Sequence, residues 1–288
     1  MSSGLNYATH LGYLSLEEPL FRASVGGLDP VAHIAYAARL GFKGVLYPWA
    51  GNRPQSEVTR VAGALREHGL IAGCTACVPF EVIPRPLWVQ RGDSAREELL
   101  GYVRRSIAAA LQVGSKHLVA LLAGEKDLSP VRQRASAIDN LHYVLDMATH
   151  AGLAVAVEPM IAFPDMLLQR TSDARELVAE VNHPHFGLVF DTGHVAEMDG
   201  AENVWPLFES AYDDITIIQL ADMPGRVEPG AGVVDIGAVL GHAMLREFAG
   251  LVELEHLWSQ PGRSGEAAGL QRFRALDEMA RGRARLRP

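Results

Sequence analysis

Eight times along the chain a short apolar run gives way to a longer amphipathic segment, and glycine often stands where that segment ends. The apolar runs are NYATHLGY (6–13), GVLYPW (44–49), LIAGCTA (70–76), KHLVALLA (116–123), LAVAVE (153–158), FGLVFD (186–191), ITIIQLA (215–221) and LVELE (251–255). Runs of this length, rich in Val, Ile and Leu and bounded by turn residues, predict buried strands. The segments between them predict helices over about 30–40, 54–68, 94–113, 130–151, 172–181, 203–212, 235–248 and 264–281. Asp29-Pro30 supplies an N-cap with proline at the first helical position. Gly41, Gly69, Gly114 and Gly152 follow helices as C-cap glycines. The 288 residues shared among eight units give 36 each, an ordinary βα unit. No Ser/Gly linker or shift of composition divides the chain, so residues 1–288 read as one domain. Sequential βα units with parallel crossovers close most simply into an α/β fold of the (β/α)8 barrel type. An open doubly wound sheet would want a glycine-rich phosphate turn after an early strand, and Gly26-Gly27 lacks that spacing.

Composition narrows the partners. A formal charge of −8 with no long basic run gives little to gain from counterion release, which argues against nucleic acid. No apolar run approaches the length of a membrane span. Cys74 and Cys77 form a C-x-x-C, but Pro79 follows where a redox pair would want a helix, so a buried reduced pair is expected. Few cysteines and the absence of an apolar segment in MSSGLNYATH predict the cytoplasm. A small-molecule substrate is the expected partner, and homo-oligomerisation is left open.

Four predicted strands end on an oxygen ligand. Glu158 ends the fifth, Asp191 the sixth, Glu255 the eighth, and Gln219 lies near the end of the seventh. Buried carboxylates are costly unless paired, hydrogen-bonded or bound to a cation. Four such groups on consecutive strands of a barrel converge at the mouth where active sites form. Three carboxylates and one amide oxygen make a hard site, suited to one Mg²⁺ or Mn²⁺ ion rather than Zn²⁺. The seventh strand then opens into Gln219, Asp222, Arg226 and Glu228 set among Pro224, Gly225, Pro229 and Gly230.

The segments VAVEP, LVFDTGH, IIQLADMPGRVEPGAG and GLVELEH resemble the hydroxypyruvate isomerase branch of the xylose-isomerase-like TIM barrels. That superfamily also holds ketose 3-epimerases, inosose dehydratases and endonuclease IV. The resemblance implies that Glu158, Asp191, Gln219 and Glu255 are the metal ligands, that His194 faces the substrate, and that Arg226 binds it. Glu253 falls where the family has a small residue and shares a strand face with Glu255, which leaves the choice of the eighth-strand ligand open. Two positions depart from the family: Ile161 stands where it often has Asn, and Pro164 where epimerases have Glu. These departures count against a sugar 3-epimerase.

The expected reaction is isomerisation of a small hydroxy-carbonyl acid through an enediolate, such as hydroxypyruvate to tartronate semialdehyde. Glu158 and Glu255 would move the protons, His194 would hydrogen-bond a substrate oxygen, and Arg226 would hold a carboxylate by two parallel bonds. The alternatives are an epimerase or dehydratase of the same superfamily, or a barrel that binds a sugar or partner without catalysis. Phosphodiester hydrolysis would need several metals, many His ligands and a basic groove, none of which stands out. His10, Tyr47 and Trp49 near the ends of the first two strands either line the pocket or pack at its rim. Trp88, in the long loop after the third strand, is either a lid residue or a shielding anchor. His183, His185 and the Arg-rich tail from Arg281 read as solvated surface.

Overall fold

The computed structural model describes residues 4–14 and 18–285. The strands are β1 (Asn6–His10), β2 (Gly44–Leu46), β3 (Ile71–Ala72), β4 (Thr75–Ala76), β5 (His117–Ala120), β6 (Ala154–Val157), β7 (Phe186–Asp191), β8 (Ile215–Leu220) and β9 (Leu251–Leu254). The helices are α1 (Arg22–Val25), α2 (Pro30–Arg39), α3 (Gln55–His68), α4 (Asp93–Val113), α5 (Pro130–His150), α6 (Thr171–Val181), α7 (Thr192–Asp199), α8 (Val204–Ala211), α9 (Ile236–Leu245) and α10 (Gly262–Arg285). All strand pairs are parallel, in the order β3-β2-β1-β9-β8-β7-β6-β5-β4. Only Gly73 and Cys74 separate β3 from β4. The two ends of the sheet are therefore consecutive pieces of one strand, and the ring closes as the barrel that the eight βα units predict.

The third strand is broken by a visitor from across the barrel. The Glu253 carboxylate on β9 accepts the Cys74 N–H at 2.8 Å. A Cβ at Gly73 would lie 2.4 Å from Glu253 Oε1 and 2.9 Å from Leu46 Cα, so only glycine admits that carboxylate. Gly73→Ala is expected to destabilise the fold by 1–3 kcal/mol, roughly the cost of overpacking a filled core, as read from urea unfolding. A Gly73→Ala variant as stable as the parent would contradict this close approach.

Helix ends follow the sequence signals closely. Gly69 and Gly114 sit at φ 64° and 84°, the left-handed region, and Asn182 does the same after α6 at φ 46°. Asp235 caps α9 by accepting the Ala238 N–H at 3.0 Å. Asp29 flanks α2 ahead of Pro30, but its carboxylate pairs with Arg60 on α3 rather than with the helix. The first strand stops at His10, short of Tyr13, and the chain turns at Gly12 with φ 107°. α10 outruns its expected span at both ends, and the last residues of the Arg-rich tail lie outside the described residues.

Two helices have no counterpart in the sequence pattern, α1 and α7. α7 matters most, because it starts directly at the end of β7 with Asp191 as its N-cap. β5 to β8 carry fully buried Leu118, Val155, Leu188 and Ile218, each contributing roughly 1.5–3 kcal/mol of burial. No helix among the described residues is long and apolar enough to cross a membrane. Cys74 and Cys77 are both buried and unbridged, as the C-x-x-C reading expects.

Candidate active site

Strand register sets the site. β7 pairs with β8 so that Asp191 lies beside Gln219, and β8 pairs with β9 so that Gln219 lies beside Glu253. Glu255 follows two residues later, just past β9, and Glu158 follows β6 directly. Glu158, Gln219 and Glu255 then line one pocket at the strand C-terminal ends, together with His194 and Arg226. Its volume is about 330 Å³. Apolar side chains line the same pocket: Leu14, Trp49, Phe80, Ile83, Met160 and Phe163. Phe80 bridges Trp49 and Phe163, with ring centroids 5.3 and 5.8 Å away.

Asp191 stands behind the pocket and holds it together. Its Oδ1 accepts the Gly193 and His194 N–H groups at 2.7 and 3.0 Å, capping α7 and fixing where His194 starts. Its Oδ2 accepts Arg226 Nη2 at 2.7 Å. Gly193 makes room for this ion pair, since a Cβ there would lie 3.0 Å from Arg226 Nη1. Arg226 also donates to the Glu255 backbone oxygen at 3.2 Å and lies 3.6 Å from its carboxylate. The guanidinium carbon sits 5.4 Å from the centroid of the Tyr13 ring.

The loop that delivers Arg226 is built on Asp222. Residues 222 and 227 exchange two backbone hydrogen bonds of 2.8 Å, closing Met223 to Arg226 into a tight turn with Arg226 at φ 49°. The buried Asp222 carboxylate accepts four N–H groups, from Met223, Gly230, Gly232 and Val234, at 2.9 to 3.0 Å. Glu228, also buried, accepts the Ser259 N–H and hydroxyl at 2.7 Å and pairs with Arg272, tying the loop to the exit of β9 and to α10.

Burial and crowding set the charge states. Burial pushes the Glu158 carboxyl up to about 7, with Asp191 and Glu253 adding to it and His194 and Arg226 opposing it. Burial, Glu158 and Asp191 push Glu255 well above the usual carboxylate range, eased in part by Arg226. Asp191 runs the other way: burial would raise it, but the Arg226 charge, His194 and hydrogen bonds to both hold it below its ordinary value. Burial raises the Tyr13 phenol to about 12.

Several buried polar atoms here have no hydrogen-bond partner: Glu158 Oε1, Gln219 Oε1, His194 Nδ1 and the Tyr13 hydroxyl. Orphaned oxygens beside raised carboxylates are what a cation would satisfy, so the donor set fits a divalent ion. Glu158, Asp191 and His194 each offer a ligand atom within 4.8 Å of the others, so His194 joins two of the three expected carboxylates and Glu255 is not in this group. Glu253 does not line the pocket but is bonded to Cys74 and Gln219, which do, whereas Glu255 lines it directly.

Besides Asp191, three of the expected site residues, His10, Tyr47 and Trp88, do not line this pocket. His10 is buried with Nδ1 accepting the Gly12 N–H at 3.1 Å and Nε2 donating to the His256 backbone oxygen at 3.0 Å. Burial drives its pKa down to about 3, and it borders a separate depression between 18–28 and 256–262. Tyr47 points toward α3, where its hydroxyl donates to Glu57 at 2.6 Å. Trp88 is fully buried in a turn after β4, its backbone oxygen accepting Asn140 Nδ2 at 2.9 Å. Trp49 does reach the pocket and donates to the Tyr13 backbone oxygen at 3.0 Å. Phe163 lies in a stretch without strand or helix periodicity, and Tyr13 ends the first apolar run, where nothing in the pattern marked it for the pocket.

The relatives of this chain at about 25% identity are isomerases and epimerases. It is 26% identical over 220 residues to the hydroxypyruvate isomerase of Escherichia coli K12, covering 73% of this chain and 81% of that protein. Its fold matches the apo crystal structure of a 3-keto-D-glucoside 4-epimerase from E. coli with a TM-score of 0.76 at 18% identity, covering 94% of this chain and 99% of that one. A crystal structure of IolI protein with a bound zinc atom matches with a TM-score of 0.65 at 18% identity, covering 86% and 91%. The family model described as xylose isomerase-like TIM barrel matches residues 34–276, and the chain belongs to that family.

Proposed function

We propose that this chain is a divalent-metal-dependent isomerase of a small hydroxy-carbonyl acid, of the hydroxypyruvate isomerase kind. The observation that carries the reading is the pair of orphaned buried oxygens, Glu158 Oε1 and Gln219 Oε1, in the pocket lined by Glu255 and Arg226. Glu158, Asp191, Gln219 and Glu255 would hold the ion. The ion, when bound, supplies Lewis-acid polarisation of the substrate's carbonyl and neighbouring hydroxyl oxygens. Mg²⁺ and Mn²⁺ suit the oxygen ligands, and the His194 imidazole beside them also admits Zn²⁺.

The residues divide the remaining work. Glu158 and Glu255 reach the reacting carbons from two strand ends, one taking a proton and the other returning it. His194, whose Nδ1 has no hydrogen-bond partner, steadies a substrate oxygen. Arg226 offers its guanidinium to a carboxylate, held in place by Asp191 and the Asp222 loop. The apolar lining excludes water from the enediolate and strengthens every charge interaction inside.

A second reading, an epimerase acting on a larger hydroxy-carbonyl compound, is favoured by one observation. The pocket, at about 330 Å³, has more room than a three-carbon acid fills.

Two measurements test the proposal. Metal content and isomerisation of hydroxypyruvate should both disappear on chelation and return with Mn²⁺ or Mg²⁺; activity that survives complete removal of divalent ions would refute it. Arg226→Lys should weaken carboxylate substrates by about 2 kcal/mol, some 30-fold, because Lys cannot make the planar two-bond contact. A neutral analogue of the same length should lose much less, and equal losses would make Arg226 a purely structural partner of Asp191.

A further inference from the structure

Glu253 is buried on β9 and does not line the pocket. The hydrogen bonds of its side chain are accepted ones. Oε1 takes the Cys74 N–H at 2.8 Å, and Oε2 takes Gln219 Nε2 at 3.0 Å and the Cys74 thiol at 3.3 Å. Burial raises the Glu253 carboxyl while the bonds from Cys74 and Gln219 lower it; as the acceptor of those bonds it meets the NH₂ end of the Gln219 amide. The reversed amide would set a carbonyl oxygen against a carboxylate oxygen. The other end of that amide, Oε1, is the buried oxygen without a partner, and Gln219 lines the pocket beside Glu158 and Glu255. Strand register keeps Gln219 and Glu253 side by side, and Gly73 leaves the gap into which the carboxylate fits.

We propose that Glu253 is a positioning residue that fixes the orientation of the Gln219 amide, so that its oxygen and not its NH₂ is presented to a divalent cation. The inference rests on the cation site proposed above. Glu253 touches neither the ion nor the substrate; it acts through Gln219 Nε2. An amide without this partner can turn over, and its NH₂ end repels a cation. Loss of a group that orients a metal ligand weakens metal binding by about 10–100-fold.

The test is a double-variant cycle read by calorimetric titration of Mn²⁺ into the metal-free chain. Glu253→Gln keeps the shape but brings an NH₂ that donates to Gln219 Oε1 and turns the amide around. It should weaken Mn²⁺ binding by about 10–100-fold. In Gln219→Ala there is no amide to orient, so adding Glu253→Gln there should cost only a small fraction of that loss. A Glu253→Gln chain that binds Mn²⁺ as the parent does overturns the proposal. So does an equal penalty in both backgrounds, which would mean that Glu253 acts through its charge alone.

If Glu253→Gln does not fold, side-chain NMR of the parent decides. Adding Mg²⁺ should move the Gln219 side-chain carbonyl carbon and leave its NH₂ protons slow to exchange; freely exchanging NH₂ protons overturn the assignment. A parent chain that binds no divalent ion at all removes the cation site itself. That result is distinct from one in which the parent and Glu253→Gln bind Mn²⁺ equally.

Discussion

Glu158→Gln and Glu255→Gln are each expected to lower isomerase turnover by about 10²–10⁴-fold, the usual worth of a positioned proton-transfer group. Each change keeps a carbonyl oxygen in the pocket, so the loss reports the basic site more than the loss of a ligand. The same variants should make the metal-free chain more stable at neutral pH, and the sign follows from the titration shifts. Burial and neighbouring acids raise both carboxyls in the folded state. A raised folded pKa contributes stability that is present below the unfolded value of about 4.5 and is lost as pH rises through the folded one. For Glu158, held at about 7, that loss runs over about pH 4.5 to 7 and amounts to roughly 3–4 kcal/mol. Glu158→Gln removes the titrating group, so its advantage over the parent should grow across that window and level off above it. Urea unfolding of the two metal-free chains at pH 5 and pH 8 measures this directly. A parent equal to the variant at both values would mean that Glu158 is not crowded or desolvated.

Asp222→Ala is expected to destabilise the chain by about 4 kcal/mol or more, because four backbone N–H groups lose their acceptor at once. For a chain of this size that is a fall in Tm on the order of 10 °C. Activity should fall further than stability explains. The loop from Asp222 to Val234 carries Arg226, and its anchor would be gone while Asp191 kept its negative charge in the interior. Assaying at a temperature where the variant is still folded separates the two effects. A folded Asp222→Ala chain with parental KM and kcat would show that Arg226 finds its place without this loop.

Much of this was legible in the sequence because the barrel repeats one local rule. Each βα unit declares itself by an apolar run, an amphipathic helix and a stop, and the closure of eight such units follows from their number and direction. Strand ends were legible for the same reason: Glu158, Gln219 and Glu255 do line one pocket, and Arg226 and His194 join them. What was illegible depended on contacts between distant residues. The break in the third strand comes from Glu253 reaching across from β9. α7 is one short helix with weak apolar periodicity, and the Asp-Thr-Gly-His stretch at the end of β7 was its available signal: an N-cap residue directly after a strand. His10 and Tyr47 show the limit of placing residues by strand position alone. Proximity to a strand end does not say which way a side chain turns, and these two turn to His256 and Glu57. Asp222 and Glu228 stood out as polar residues, but their roles depend on backbone groups that only the folded loop brings to them.

The central claim is that Glu158 and Glu255 move a proton on carbon beside a carbonyl, in a site that works only with a divalent ion. Its most direct measurement is uptake of deuterium from D₂O into the substrate's carbon-bound position, followed by NMR with hydroxypyruvate and with a longer hydroxy-ketone. The chain loaded with Mg²⁺ should incorporate deuterium, the chelated chain should not, and Glu158→Gln loaded with the same ion should be slower by about 10²–10⁴-fold. A loaded chain that binds the substrate and exchanges no carbon-bound hydrogen, or a chelated chain that exchanges it as fast, would contradict the account.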